Sequence, residues 1–200
     1  MMNNKSWLQL MLSVLLCLML VGCISSKYVE RKQYLFDVQK NLAKKIATSY
    51  KCSVFIDHVV AEPPFDQLDF LYRIKSGQYL VDYYNGFLAS PTEQLDAILE
   101  AYLNASGEFK NKLQIKLTEL YADYRDRNNP QAVIALNFLL TKVVDDKTVV
   151  LLDRVLRSSI AIKEKNTDNL LRAWNVGIQD ILKQVVQMLN RKVSCGSRKL

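Results

Sequence analysis

The chain has 200 residues, half of them apolar, with six glycines, four prolines and a formal net charge of +7. That composition carries enough apolar side chain for a core of its own and excludes a disordered stalk. The basic residues fall in small scattered groups such as Lys44-Lys45, Arg125-Asp126-Arg127 and Arg191-Lys192. They read as a solvated surface with, at most, weak attraction to anionic headgroups or an acidic partner; without a recognised binding motif, no nucleic-acid partner is expected.

Lys5 precedes an apolar run from Trp7 to Val21, the layout of a secretory signal. The run is about fifteen residues and holds Gln9 and Ser13, short of the roughly 20 consecutive apolar residues of a spanning helix. It ends in Leu20-Val21-Gly22-Cys23, which resembles the bacterial lipobox. The resemblance implies removal of residues 1–22 and acylation of the Cys23 thiol, with Gly22 small enough for the peptidase to reach the bond. Ile24 stands where enterobacterial lipoproteins retained in the inner membrane usually carry Asp, so an outer-membrane lipoprotein facing the periplasm is expected, with the inner membrane as the alternative. Of the remaining cysteines, Cys17 leaves with the signal. Cys52 and Cys195 either form a disulfide, as an oxidising compartment permits, or stay as two free thiols.

Residues 23–32 form a lipidated tether, residues 33–192 one domain and residues 193–200 a solvated tail. Alternation predicts a strand from Gln33 to Val38, then a basic connector, NLAKKIATSYK, as loop or short helix. A second strand runs from Cys52 to Ala61 and stops at Glu62-Pro63-Pro64, because proline cannot donate to a ladder. LDFLYRIKSGQYLVDYYNGF reads as a hairpin about Ser76-Gly77, in which Tyr72, Tyr79, Tyr83 and Tyr84 serve packing. Ser90-Pro91-Thr92-Glu93 opens a helix with a capping box, and Leu95, Ile98, Leu99 and Tyr102 give it one apolar stripe. Strands follow at Lys112–Tyr124, with Leu113, Ile115, Leu117 and Leu120, at Ala132–Val144 and at Thr148–Ala161. Their short connections make them antiparallel. A long helix begins near Asn166-Thr167-Asp168 and carries Leu170, Leu171, Trp174, Ile178, Ile181, Leu182, Val185 and Leu189 on one side. The predicted fold is α+β: a single domain with a mostly antiparallel mixed sheet and two amphipathic helices packed on one face.

No catalytic, cofactor or metal site is expected. His58, the one histidine, shares a predicted strand face with Val54, Ile56 and Val60 and reads as a structural imidazole among aliphatics. Asp57 points to the other face, which argues against a dyad. Asp145-Asp146 falls in a solvated turn, and no phosphate loop, dinucleotide fingerprint or nucleophile elbow occurs.

The order of features resembles the ABC-type transport auxiliary lipoprotein family, which includes the paraquat-inducible protein C lipoproteins. It is carried by Tyr34-Leu35-Phe36, by VFIDHVVAEPPFDQLDFLYRI and by LVDYYNGFLASPTEQLDAILEAYL. In that family a W-A-x-P turn opens the first helix; here Phe87-Leu88-Ala89-Ser90-Pro91 has Phe in place of Trp and one added residue. The resemblance implies a non-catalytic, lipid-anchored auxiliary subunit whose partners are an MCE-type substrate-binding protein and the permease and ATPase of an ABC system. It further implies transport of phospholipid or another hydrophobic compound between membranes, with a homo-oligomer open. The alternative is a structural lipoprotein that assists outer-membrane assembly.

Overall fold

A computed structural model describes Trp7 and residues 29–38, 54–103 and 111–192 of the chain. In chain order the elements are β1 (Lys32–Tyr34), β2 (Phe55–Ile56), β3 (Val60–Ala61), β4 (Asp69–Lys75), β5 (Gln78–Phe87), α1 (Pro91–Leu103), β6 (Asn111–Asp123), β7 (Gln131–Val144), β8 (Lys147–Ala161) and α2 (Thr167–Lys192). They belong to the unit that starts at Arg31. The strands make one open mixed sheet in the order β1-β5-β4-β6-β7-β8, with β2 and β3 also paired to β6. The α+β architecture matches the expectation.

Local chemistry sets the starts of both helices and the β7–β8 turn. Ser90 Oγ accepts the Glu93 N–H at 3.2 Å while the Ser90 N–H donates to Glu93 Oε2 at 3.2 Å, so the capping box closes both ways. Asn166 caps α2 through its Oδ1, which accepts the Asn169 N–H at 2.9 Å. The β7–β8 turn has Asp145 and Asp146 at φ 48° and 59°. Asp tolerates this left-handed region, and two positive φ values in a row match the right-handed twist of a two-residue hairpin.

The N-terminal half departs from expectation in two places. The strand predicted for Gln33–Val38 is only Lys32–Tyr34, because the next amides bond elsewhere. The Phe36 N–H donates to Gln94 Oε1 of α1 at 2.7 Å and the Asp37 N–H to Asn175 Oδ1 of α2 at 3.0 Å. The strand predicted for Cys52–Ala61 is two short pieces, β2 and β3, that run parallel to β6 on either side of a break at Asp57–Val59. In the break the Val59 N–H donates to Asp96 Oδ1 of α1 at 2.7 Å instead of joining a ladder.

Both helices pack on one face of the sheet. There Leu95 and Leu99 of α1 and Trp174, Ile178, Ile181 and Val185 of α2 bury with Leu113, Ile115 and Leu117 of β6 and with Ile134, Leu136 and Phe138 of β7. Phe36, Phe70, Phe87 and Trp174 form its aromatic centre, with Phe70–Phe87 centroids 4.6 Å apart. The other face keeps a much smaller cluster, Leu71, Tyr121 and Val133, flanked by Phe65, Tyr79 and Val81. Among the described residues no helix is long and apolar enough to cross a membrane.

Candidate functional site

Cys23, Cys52 and Cys195 lie outside the described residues, as do the basic connector and the 193–200 tail. His58 is not among aliphatics: its side chain is 87% exposed, and Nδ1 sits 3.3 Å from Asp96 Oδ2. The break between β2 and β3 destroys the alternation that would have turned it inward, and Val60 is exposed for the same reason. Asp57 instead pairs with Lys112 Nζ at 2.8 Å, so the two neighbours have separate partners. That lysine holds the Asp57 carboxyl below its ordinary value.

The hairpin tyrosines divide. Tyr72 and Tyr79 pack, whereas Tyr83 and Tyr84 are exposed. The register jumps between Asp69↔Gly86 and Phe70↔Asp82, so residues 83–85 have no partner on β4, and the end of β5 pairs with β1 instead. Asp82 organises this bulge. Its Oδ1 accepts the N–H groups of Tyr84 and Asn85 at 2.9 and 3.1 Å, and its Oδ2 accepts the Tyr72 hydroxyl at 2.6 Å and the Asn85 amide at 2.9 Å. Partial burial pushes the Asp82 carboxyl up, but these hydrogen bonds outweigh it and the group stays below its ordinary 3.8. Burial, reinforced by the same carboxylate, raises the Tyr72 phenol far above its ordinary range.

A carboxyl whose folded value is depressed binds protons less readily folded than unfolded, where it titrates near 3.9. Its contribution is therefore present above pH 5 or so and fades as acid carries the protein through the lower, folded value. Asp82→Asn should cost about 1 kcal/mol at pH 7, allowing for partial exposure, and much less at pH 3. Urea midpoints of the two proteins at both pH values check this; a gap of the same size at both would contradict it.

The group of interest lies on the helix-free face, where β4, β5, β6, β7 and β8 bring distant residues together. Tyr121 is fully buried at its centre, with Tyr79 at 5.5 Å and Phe65 at 6.2 Å between ring centroids. The Arg73 guanidinium lies 6.0 Å from the Tyr79 ring centroid and 5.6 Å from that of Tyr121, a cation–π arrangement, and donates to the Tyr121 hydroxyl at 3.1 Å. Arg157 of β8 donates through Nε to Glu119 Oε2 at 2.5 Å and through Nη2 to the Tyr121 hydroxyl at 3.5 Å. Burial works against the Arg157 charge, but Glu119 and Tyr121 outweigh it. Burial also raises the Tyr79 phenol. At the rim Asp123 forms a forked pair with Arg125, 2.7 Å at its shortest, and that pair holds its carboxyl down. The result is a cluster of aromatic rings with Tyr121 buried at its centre, edged by guanidiniums that spend donors on the Tyr121 hydroxyl, Glu119 and Asp123.

Sequence reading missed this cluster, although one signal for it exists. Inward aliphatic residues of β6 step by two through Leu113, Ile115 and Leu117 and then by three to Leu120. That slip marks the bulge seen between Leu117 and Glu119, and it turns Tyr121 onto the opposite face.

No family model and no curated protein matches the chain. Solved structures share its fold. A DUF330 protein from Xanthomonas campestris superposes with a TM-score of 0.62 at 19% identity, over 70% of this chain and 85% of that one. An uncharacterized protein superposes with a TM-score of 0.60 at 13% identity, over 80% of this chain and 99% of the other. A lipoprotein from Neisseria meningitidis reaches a TM-score of 0.27 at 12% identity, too low to establish a shared fold.

Proposed function

We propose that the protein is a lipid-anchored, non-catalytic auxiliary subunit of an ABC transport system in the cell envelope. Acyl groups on Cys23 hold it at the outer membrane, facing the periplasm, and its domain docks one component of a system made up of an MCE-type substrate-binding protein and the permease and ATPase that move phospholipid or another hydrophobic compound. The observation that carries this reading is the Leu20-Val21-Gly22-Cys23 motif ahead of a folded domain. The segments that resemble the family also build the heart of the fold. The bend at Pro63-Pro64 leads into the β4–β5 hairpin, and Phe87, where the family has Trp, is buried against Phe36, Phe70 and Trp174 just before α1 begins.

A tether makes docking effectively intramolecular, so a weak interface suffices on the membrane and fails in free solution. Cys23→Ala is therefore expected to give a folded, membrane-free protein with the unfolding midpoint of the wild type and no transport activity in a deletion strain. Fractionation, mass spectrometry of the N-terminus and complementation read this out. A lipid-free variant that restores transport fully would overturn the reading.

A further inference from the structure

Strand β8 ends the sheet, and among the described residues nothing pairs with its outer edge. The hydrogen-bond phase of that edge follows from a contact at its base, where the Ile162 N–H donates to the Pro130 carbonyl at 2.8 Å. Bonded and non-bonded pairs alternate along an antiparallel ladder. Counting back in the observed register, Ile160, Ser158, Leu156 and Arg154 bond toward β7. Asp153, Val155, Arg157, Ser159 and Ala161 consequently aim their backbone N–H and C=O groups outward. Their side chains share the helix-free face, because each pairs with Leu139, Asn137, Ala135, Val133 or Gln131 of β7. Val155 is 57% exposed, and the edge carries none of the prolines that would block pairing.

The geometry points to a homodimer in which β8 pairs antiparallel with β8 of a second copy about a twofold axis at Val155. Self-pairing about residue 155 sets Asp153 opposite Arg157 of the second copy, and the symmetry repeats that opposite-charge pair. Arg154 then faces Leu156 on the helix side, where its aliphatic stem covers apolar surface. A twofold centred on Asp153, Arg154 or Arg157 would instead set like charges face to face, which is destabilising in a cross-strand pair. Asp153 is exposed and has no ion-pair partner among the described residues, so its charge is available; Arg157 keeps donors beyond those spent on Glu119 and Tyr121. The outward-pointing residues 153, 155 and 157 supply the ladder bonds, joining two sheets into one and placing the Tyr121 clusters of both copies on a continuous face.

The test uses the full lipidated chain in membranes with Cys52→Ser and Cys195→Ser as background. Val155→Cys should cross-link to itself through a short bismaleimide, since paired Cα atoms lie about 5.5 Å apart. Ser159→Cys, eight residue-steps from its own mate and so about 27 Å away, should give roughly a tenth of that yield or less. In detergent, sedimentation should show Asp153→Arg weakening the dimer about tenfold or more, with the circular dichroism spectrum of the folded chain unchanged, while Asp153→Glu retains it. Equal cross-linking at the two positions, cross-linking of Val155→Cys to a different protein, or a dimer indifferent to Asp153→Arg would each overturn the proposal.

Discussion

Trp174→Ala is expected to lower the unfolding free energy by about 3–5 kcal/mol, the largest stability loss of any single truncation described. The indole is fully buried and fills the space between the helix-side face of the sheet and α2. Its ring centroid lies 5.3 Å from that of Phe70, 5.7 Å from Phe87 and 6.5 Å from Phe36, so its removal leaves three aromatic neighbours facing a void. Its Nε1–H also donates to the Val133 carbonyl at 3.1 Å, tying α2 to β7. Trp174→Phe keeps most of the packing but loses that donor, and should cost about 1–2 kcal/mol beyond the smaller volume. Chemical denaturation of both variants separates the contributions; a Trp174→Ala protein within about 1 kcal/mol of wild type would contradict this account of the core.

Gly86→Ala is expected to cost about 1–3 kcal/mol, although it adds one methyl group in a strand. A Cβ at residue 86 would sit 2.4 Å from the Leu68 carbonyl oxygen and 2.6 Å from Arg31 Nη2. The arginine tip can swing away at the expense of its bond to Asp69, but the Leu68 carbonyl is backbone, and the Phe87 N–H donates to it at 2.6 Å. Relief therefore has to come from the strands themselves, at the point where β1 pairs with β5 through Gln33↔Gly86. Beyond the lowered denaturation midpoint, amide exchange should rise locally in β1 and at the end of β5. Exchange that stays at wild-type levels there would show that the backbone absorbs the methyl group without loosening.

Sequence periodicity was most informative where one force decided the outcome. β6, β7, β8 and both helices each carry a regular apolar stripe toward the core, although β6 and β7 also bury Tyr121 and Val133 on the other face. The predicted limits of the three strands and the starts of both helices fall within a residue or two of those observed. The opening segments were harder to read because distant side chains claim their backbone. Gln94 and Asn175 take the amides of Phe36 and Asp37, and Asp96 takes that of Val59, contacts that span 58, 138 and 37 residues. No local pattern encodes such partners, which is why β1 is shorter than alternation implies and why His58 lies on the surface. The Tyr121 cluster was hidden for a related reason: Phe65, Arg73, Tyr79, Tyr121 and Arg157 come from five separate stretches of chain and meet only once the β6 bulge has turned Tyr121 outward.

The placement of α2 bears on how the molecule is made. This helix covers β7 and β8 yet comes after every strand, so a chain emerging from its N-terminus builds the β6–β7–β8 meander, whose partners are close in sequence, before the cover for its apolar face exists. Until the last residues of α2 arrive, Ile134, Leu136 and Phe138 stand open to water and to other nascent chains. Docking of the final helix is thus the step that ends the interval of greatest exposure to aggregation and proteolysis during synthesis.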